Sequence, residues 1–410
     1  MRQTMRKPFH GWWVLAALFI CGFMVYGGGL YSFVLFIPPW TQEFGWSRAT
    51  TAGLVSAFYF SAPFVLLGAQ TAERFGAVRI LTMGIMIEAV SVCLLSATTA
   101  LWQMYALRIL MGFGKVMFAV CVPIVLAIWF KKRLAFALAI AWAGWNLGGL
   151  VLGPVSSLIL SSHGWRTTCL LIGVGLLVFA VLPPLRVLRI RSPAQLGLGR
   201  DGEPPATAAA ATTESTSLAP DTPLWRCGTF WVLALATASF YSALAGMMTH
   251  QAALVETAGF SVRTAGIMVG SAAGIAAVAG PVFGWLLDRG YLLWVGSLMH
   301  LCLLGGVLSL AGLTRVPSVG ILALYLATFG LTLGGADVFW VTLLRYRFPR
   351  FSVARTYSAW YFVEIATLGL APIGVGRLFD STGNYYWTML VLLVPVVLSA
   401  LCWIAARRDH

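Results

Sequence analysis

The residues of this sequence best suited to chemistry are two cations and two acids inside strongly apolar runs. Arg108 and Lys115 lie in the stretch RILMGFGKVMF, and their spacing of seven residues puts both side chains on nearly one face of a helix. A lysine at the centre of a membrane helix costs about 2.5 to 3.5 kcal/mol, so it should face a partner or a water-filled cavity. The pair predicts a cationic stripe, for which an anion is the natural ligand.

Asp337 and Glu364 are the predicted proton-coupling acids. A buried carboxylate that gains and loses a cationic partner can bind and release a proton. We hypothesise that one of these acids pairs with Lys115 in one state of the protein, and that a proton or a substrate carboxylate breaks the pair. His250, which can titrate near neutral pH, is predicted to be an outer proton relay, with a solvated histidine at a span end as the alternative.

Aromatic and amide side chains can supply the rest of a pocket. Tyr26, Asn146, Trp360 and Tyr361 are predicted to contact the substrate, and the tryptophans at 142 and 145 are further candidates; core packing is the alternative for all of them. Three glycines at 27–29 interrupt the run that contains Tyr26, where freed backbone groups are tolerated if they line a cavity. Glycines at four-residue intervals, at 144 and 148 and at 266, 270 and 274, predict close helix approach.

The composition identifies the elements that must position these residues. Of 410 residues, 60% are hydrophobic and 10% are charged, and the mean hydropathy is +0.87, well outside the range of soluble domains. About 20 apolar residues span the hydrocarbon core of a lipid bilayer. The sequence therefore predicts an integral membrane protein, with spans near residues 12–37, 49–69, 79–98, 102–130, 134–160, 166–185, 227–249, 264–286, 292–312, 317–344, 355–376 and 385–405.

Basic residues predict the orientation of these spans. The first run is longer than a signal-peptide core and lacks a small-residue cleavage site, so we expect a retained span and a cytoplasmic amino terminus. With both termini cytoplasmic, arginine and lysine concentrate in the inner loops, as the positive-inside rule requires. The exceptions are Arg48, Arg166, Arg263, Arg315 and Arg377. The net charge of +14 is thus explained by topology and requires no nucleic-acid partner.

The chain divides into two halves around a linker rich in Pro, Ala, Thr and Ser. We predict an amino-terminal six-helix bundle over 1–185, a flexible cytoplasmic linker over 186–224 and a carboxy-terminal six-helix bundle over 225–410. The two halves contain similar sequences, which indicates an internal repeat: GWSRATTAGLVSAFYF begins at Gly45 and GFSVRTAGIMVGSAAG begins at Gly259. Ser47 and Ser261 occupy matching positions, where a serine can cap a helix.

Three motifs resemble those of the major facilitator superfamily. They are a weakened loop motif (Ala69, Glu73, Arg74, Gly76, Arg79), a fourth-span motif (Arg108, Gly112, Gly114) and a clear loop motif (Gly284, Leu286, Asp288, Arg289). The resemblance implies an all-α membrane protein of twelve helices in two six-helix pseudo-repeats, which alternates between inward-open and outward-open states. It assigns Glu73, Arg74, Asp288 and Arg289 to the gating loops. It also places Glu88 on a peripheral span, as a polar partner within its own half, and packs spans five and eight across the interface between the halves.

Several stretches, among them WFKKRLAFALAIAWAGWNLGG, look like the bacterial monocarboxylate-porter and oxalate/formate-exchanger branch. Such proteins commonly hold the carboxylate with an arginine on span eight, whereas span eight is uncharged here. Exchangers of the oxalate type also use a lysine on span eleven, where this chain has Glu364. One cation suits a single carboxylate on an otherwise apolar or aromatic substrate, and Glu364 leaves a zwitterionic or cationic substrate open.

The sequence therefore predicts a secondary active transporter of a bacterial inner membrane, coupling protons to the movement of a small monocarboxylate-like anion. Proton-antiport efflux of an amphipathic or cationic compound is the alternative, and a non-transporting membrane sensor is the alternative of a different class. We find no nucleotide-binding loop, no metal-ligand spacing and no grouping of nucleophile and base. We accordingly expect no enzyme, no catalytic residues, no metal and no cofactor, and a monomeric protein.

Overall fold

The computed structural model describes residues 9–46, 50, 53–54, 57–204 and 223–407, and every regular element in these ranges is helical. The α-helices, numbered in chain order, are α1 (Gly11–Tyr26), α2 (Ile37–Phe44), α3 (Phe64–Phe75), α4 (Ala77–Leu95), α5 (Leu101–Trp129), α6 (Leu134–Gly175), α7 (Leu182–Val187), α8 (Gly228–Thr257), α9 (Val262–Asp288), α10 (Leu292–Leu313), α11 (Val319–Arg347), α12 (Val353–Thr382), α13 (Tyr385–Val391) and α14 (Leu393–Arg407). The predicted cap Ser47, the predicted outer Arg48, residues 1–8 and 408–410 and linker residues 205–222 lie outside the described ranges.

The predicted all-α membrane fold is confirmed. Ten stretches of the described chain are long and apolar enough to cross a membrane. One of them, 134–187, contains two predicted spans: α6 is broken at Gly164, where φ is 75° and ψ is 171°. The chain then returns to its starting side, since Val187 O lies 3.0 Å from His10 Nε2. The predicted second span, 49–69, is described only in part, and its described end leads into α3.

Span one changes helix type where its glycines lie. After α1, residues Gly27–Tyr31 form a π-helical turn and Ser32–Phe36 form a 3₁₀ helix. The glycines permit contacts that a side chain would block: a methyl group added at Gly27 would lie 2.5 Å from the carbonyl of Gly148, and one added at Gly29 would lie 1.9 Å from Glu88 Oε1. Single π-helical turns occur often at functional sites.

The two halves are joined tightly at one end of the bundle, where the linker begins, and we call this the linker end. Here the Asp288 carboxylate accepts hydrogen bonds from the backbone N–H groups of Ala135 and Phe136, at 2.9 and 2.8 Å. These amides are the free donors at the start of α6, where a negative charge is stabilised. The Glu73 carboxylate likewise accepts a hydrogen bond of 2.7 Å from Ser352 Oγ and lies 3.8 Å from Arg355 Nε. Both acids therefore connect one half to a helix start in the other.

Packing along α9 loosens from the linker end toward the opposite end, which we call the far end. A methyl group added at Gly284 would lie 2.6 Å from Ala135 O, so backbone meets backbone there. At Gly270 the nearest atom is the side-chain tip of Leu150, at 3.4 Å, and at Gly266 nothing lies within 4 Å. The bundle is thus closed between the halves at the linker end and separates toward the far end.

The first part of the predicted linker, through residue 204, docks on the linker end. Asp201 Oδ2 accepts hydrogen bonds from the backbone N–H groups of Lys131 and Lys132, at 2.9 and 2.8 Å. Lys132 Nζ also pairs with Glu203 at 2.5 Å, although both side chains are largely exposed. Exposed pairs of this kind contribute about 1 kcal/mol at most.

At the far end, Glu43 ties α2 to the start of the sixth span. Its carboxylate accepts hydrogen bonds from the Trp165 indole N–H at 2.6 Å and from Arg166 Nη1 at 2.5 Å. These two donors hold the pKa of Glu43 below its usual value. The contacts lie within the amino-terminal half, so they brace that half without closing the far end.

Candidate functional site

A cavity of about 130 Å³ lies between the two halves, beyond the closed linker end. Both halves contribute to it. Its polar and aromatic lining consists of Tyr26, Tyr31, Tyr59, Lys115, Trp142, Trp145, Asn146, Tyr241, Asp337, Tyr361 and Glu364. A lining with rings on all sides and few charged groups suits a small substrate that is apolar over most of its surface.

Lys115 on α5 is the cation of this cavity. Its side chain is 6% exposed, and its ammonium lies 4.9 Å from the ring centre of Tyr26, 5.4 Å from that of Phe58 and 5.6 Å from that of Tyr361. Within the described part of the chain it makes no hydrogen bond and no ion pair. Ring faces attract a cation but occupy none of its hydrogen-bond donors. The ammonium can therefore donate all its hydrogen bonds to an anion that enters the cavity.

Arg108 does not line the cavity. It is fully buried, with hydrogen bonds from Nε to Leu54 O at 3.1 Å and from Nη1 to Gly29 O at 3.3 Å. Its guanidinium stacks 3.3 Å from the ring centre of Phe33 and lies 4.8 Å from that of Phe58. Both cations thus contact Phe58, as side chains on one helix face can, but Arg108 turns into the amino-terminal half while Lys115 reaches the space between the halves.

Arg108 is buried behind the cavity, where it binds two backbone carbonyls and acts electrostatically on Glu88, which gives a stability prediction. Both Glu88 carboxylate oxygens are buried without a hydrogen-bond partner in the described structure, and the cations that act on them are Lys115 and, more weakly, Arg108. We expect Arg108→Met to destabilise the protein by about 3 kcal/mol, because two buried carbonyls lose their donor and the buried Glu88 loses one of the two cations that act on it. Thermal unfolding in detergent would measure this. Adding Glu88→Gln should restore part of the loss, and a single variant as stable as wild type would contradict the assignment.

The two predicted coupling acids both line the cavity, from the carboxy-terminal half. Asp337 on α11 accepts a short hydrogen bond from the Tyr241 hydroxyl, whereas Glu364 Oε2 on α12 is buried and lacks a partner among the described residues. Neither acid forms an ion pair with Lys115 in the structure. Of the carboxylates that act on Lys115 electrostatically, Glu364 has the strongest interaction, ahead of Glu88 and Asp337.

Tyr26 connects the halves at the centre of the cavity. Its ring stacks on Trp145 with centroids 4.1 Å apart and planes 7° apart, and its hydroxyl lies 3.3 Å from that of Tyr361. Gly22, one turn earlier, makes room for this stack, since a methyl group there would lie 2.2 Å from Trp145 Cδ1. The predicted residues Tyr26, Asn146 and Tyr361 therefore share one cavity with Lys115.

Other predicted site residues lie elsewhere. Trp360 is buried behind the lining, with its ring 6.0 Å from that of Tyr241. His250 packs against Tyr385 toward the far end, at 6.0 Å between ring centres, and is not part of the cavity. Of the loop-motif residues at the linker end, Arg74 lies over Phe75 and Arg289 lies over Trp285, so neither of them bridges the halves through these contacts.

Three tyrosines of the lining were missed by sequence reasoning: Tyr31, Tyr59 and Tyr241. For Tyr241 a signal exists in the internal repeat. It lies in the first span of its half, about as far along as Tyr26 does in the other half, and each hydroxyl bonds a side chain of the carboxy-terminal half. Aligning span seven with span one therefore predicts Tyr241 as a lining residue equivalent to Tyr26.

No group of three His, Cys, Asp or Glu side chains able to hold a metal ion occurs in the part of the chain that the structure describes. All seven cysteines are free. The chemistry of the cavity is therefore that of charged and aromatic groups.

Relatives of the chain are transporters. Human (Homo sapiens) monocarboxylate transporter 11 is 27% identical over 377 residues, covering 91% of this chain and 72% of the relative. Human monocarboxylate transporter 12 is 24% identical over 418 residues, covering 95% and 79%. Monocarboxylate transporter 12 of Rattus norvegicus is 24% identical over 368 residues, covering 82% and 72%.

The family match covers most of the chain. The sequence profile of the Major Facilitator Superfamily matches residues 18–364, from the first span through the cavity residue Glu364. The superfamily implies the two-domain fold of twelve helices, with which the described helices agree, and its members move small-molecule substrates across membranes. The chain therefore belongs to the Major Facilitator Superfamily, and it is a multi-pass membrane transporter and not an enzyme.

Proposed function

We propose that the protein couples protons to the transport of a monocarboxylate-like organic anion by alternating access. The observation that carries the proposal is Lys115, a buried ammonium at a cavity between the halves whose hydrogen-bond donors are all free among the described residues. A carboxylate is a ligand of matching charge that can accept several of these hydrogen bonds. Similarity to proteins named monocarboxylate transporters supports the same class of substrate.

The proposed cycle uses the asymmetry of the bundle. With the linker end closed by Asp288 and Glu73, the anion enters from the far end and binds Lys115. A proton on Glu364 or Asp337 then offsets the added negative charge, because an uncompensated charge in a low-dielectric cavity is costly. Rocking of the halves opens the linker end, where anion and proton leave.

The proposed setting is a bacterial inner membrane, with the linker end and both termini in the cytoplasm and the protein acting as a monomer. Support for the orientation comes from the arginines and lysines, which concentrate in the loops of the linker end. Support for the bacterial setting comes from resemblance to a bacterial branch of the superfamily.

Efflux of a cationic compound by proton antiport is the second candidate. It is favoured by one observation: carboxylates outnumber cations in the described lining, with Asp337 and Glu364 against Lys115. In that mechanism protons and the cation would compete for the two acids, and Lys115 would tune their ionisation without touching the substrate.

Purified protein in proteoliposomes would test the proposal. We expect lactate, butyrate or 3-phenylpropionate to accumulate when the lumen is more alkaline than the bath, with accumulation abolished by a protonophore. Protein-free liposomes correct for passive entry of the neutral acids. Absence of carrier-mediated carboxylate flux, together with proton-driven movement of a lipophilic cation, would reject anion symport in favour of antiport.

A further inference from the structure

The charges of the cavity do not balance. With Lys115, Asp337 and Glu364 all ionised, the described lining carries one more negative than positive charge. Behind the lining, Arg108 and Glu88 add one formal charge of each sign, so counting them leaves this excess unchanged. A substrate carboxylate adds to this excess unless a proton or a positive charge on the substrate offsets it.

Of the two acids, Glu364 is the one with less compensation for a negative charge. Asp337 is stabilised by the Tyr241 hydroxyl, whereas Glu364 is 7% exposed and has a carboxylate oxygen without a partner in the described structure. The titratable and charged groups that act on Glu364 are Lys115, Asp337, Tyr26, Tyr59 and Tyr241 from other elements, and Tyr357 and Tyr361 from its own helix. Only one of these groups is a cation, and in the proposed function that cation binds the substrate carboxylate.

When a bound monocarboxylate occupies Lys115, a negative charge on Glu364 is therefore no longer offset by a cation. A proton can supply the missing positive charge, and so can an ammonium on the substrate itself. The surrounding rings suit either form of substrate, since aromatic faces attract cations as well as apolar groups. Tyr26 and Tyr361, which flank Lys115, belong to this same lining.

We propose that the cavity also takes zwitterionic amino acids with an apolar or aromatic remainder, with the carboxylate on Lys115 and the ammonium on Glu364, and that the ammonium replaces the coupled proton. This inference rests on the proposed function, because it assigns Lys115 to the carboxylate. It predicts that one transporter moves anions with a proton and zwitterions without one.

Three compounds on one skeleton test the inference in proteoliposomes that contain a fluorescent pH indicator. We expect 3-phenylpropionate to enter with a proton, phenylalanine to enter without net proton movement, and phenethylamine to be excluded. If 3-phenylpropionate is transported but phenylalanine is not, the inference is overturned and the proposed function stays intact. A proton entering with phenylalanine would also overturn it. Transport of neither carboxylate compound would reject the proposed function as well.

A variant pair locates the ammonium site. Glu364→Gln should lower phenylalanine uptake at least tenfold, while 3-phenylpropionate is still carried but no longer driven by a pH gradient. Glu256→Gln, which removes an exposed carboxylate at the far end of α8, is the control and should match wild type in both assays. Equal loss of both substrates in Glu364→Gln would overturn the assignment of the ammonium. If this variant does not fold, the proton measurement on wild type alone decides.

Discussion

Carboxylate uptake should fall at least about 30-fold when Lys115 is replaced by glutamine. Truncating one partner of a buried, hydrogen-bonded charge pair costs about 2 to 5 kcal/mol, and 30-fold corresponds to the lower end of this range. The loss is expected because the ammonium is the only cation in the described lining of the cavity. Initial rates of 3-phenylpropionate uptake, normalised to the amount of reconstituted protein, would measure it.

Two further variants separate charge from packing. Lys115→Arg keeps the positive charge and should retain more uptake than Lys115→Gln, although the larger guanidinium must fit among Tyr26, Phe58 and Tyr361. Lys132→Gln removes an exposed lysine at the linker end and is the matched control. If Lys115→Gln takes up carboxylate at the wild-type rate, Lys115 does not bind the substrate, and Glu364 becomes the candidate binding residue.

Net transport should be lost altogether in Gly284→Leu, while the separate halves stay folded. The added side chain would meet Ala135 O at 2.6 Å and Phe136 Cα at 2.8 Å, and backbone cannot move aside as a flexible side chain can. Because these atoms belong to the other half, the halves are expected to stay apart at the linker end. Uptake and counterflow in proteoliposomes would measure the loss.

Spin labels would show whether the linker end stays open in Gly284→Leu. Arg74→Cys and Arg350→Cys place labels on exposed positions of opposite halves, once the partly exposed cysteines at 93, 227 and 402 are replaced by serine. The distance between the labels should lengthen relative to the wild-type background. Gly266→Leu, on the same helix but with open space around it in this state, should leave the distance between the labels unchanged. Normal transport by Gly284→Leu would contradict the closed contact.

Sequence reasoning predicted the apolar helices and singled out Lys115, which lines the cavity, because both depend on local energetics. An apolar run of about 20 residues and a lysine inside one are each explained by the cost of burying polar groups in hydrocarbon. The spacing of Arg108 and Lys115 indicated a shared face, but it could not show where each long side chain would end. Arg108 donates to the carbonyls of Leu54 and Gly29, which belong to other spans, so its partners follow from the way the helices pack and not from its own sequence neighbours.

The glycine intervals illustrate a second limit of the sequence. Gly144 and Gly148 do allow close approach, but the partner is α1: methyl groups there would lie 2.5 Å from Phe19 O and 2.1 Å from Phe23 O. The contact between the fifth and eighth spans instead depends on Gly284 at the linker end. Small residues indicate that two helices come close, and only the three-dimensional arrangement identifies which two.

The hydrogen bonds of Asp288 have a consequence for how this protein can vary over evolution. Because the carboxylate accepts from the main chain at positions 135 and 136, proline is the residue that would remove a donor, while the burial of Ala135 restricts that position to small side chains. A charge at a helix start contributes only about 0.3 to 2 kcal/mol. A contact of this strength contributes to closing the linker end and can be broken again in each transport cycle at a modest cost in free energy.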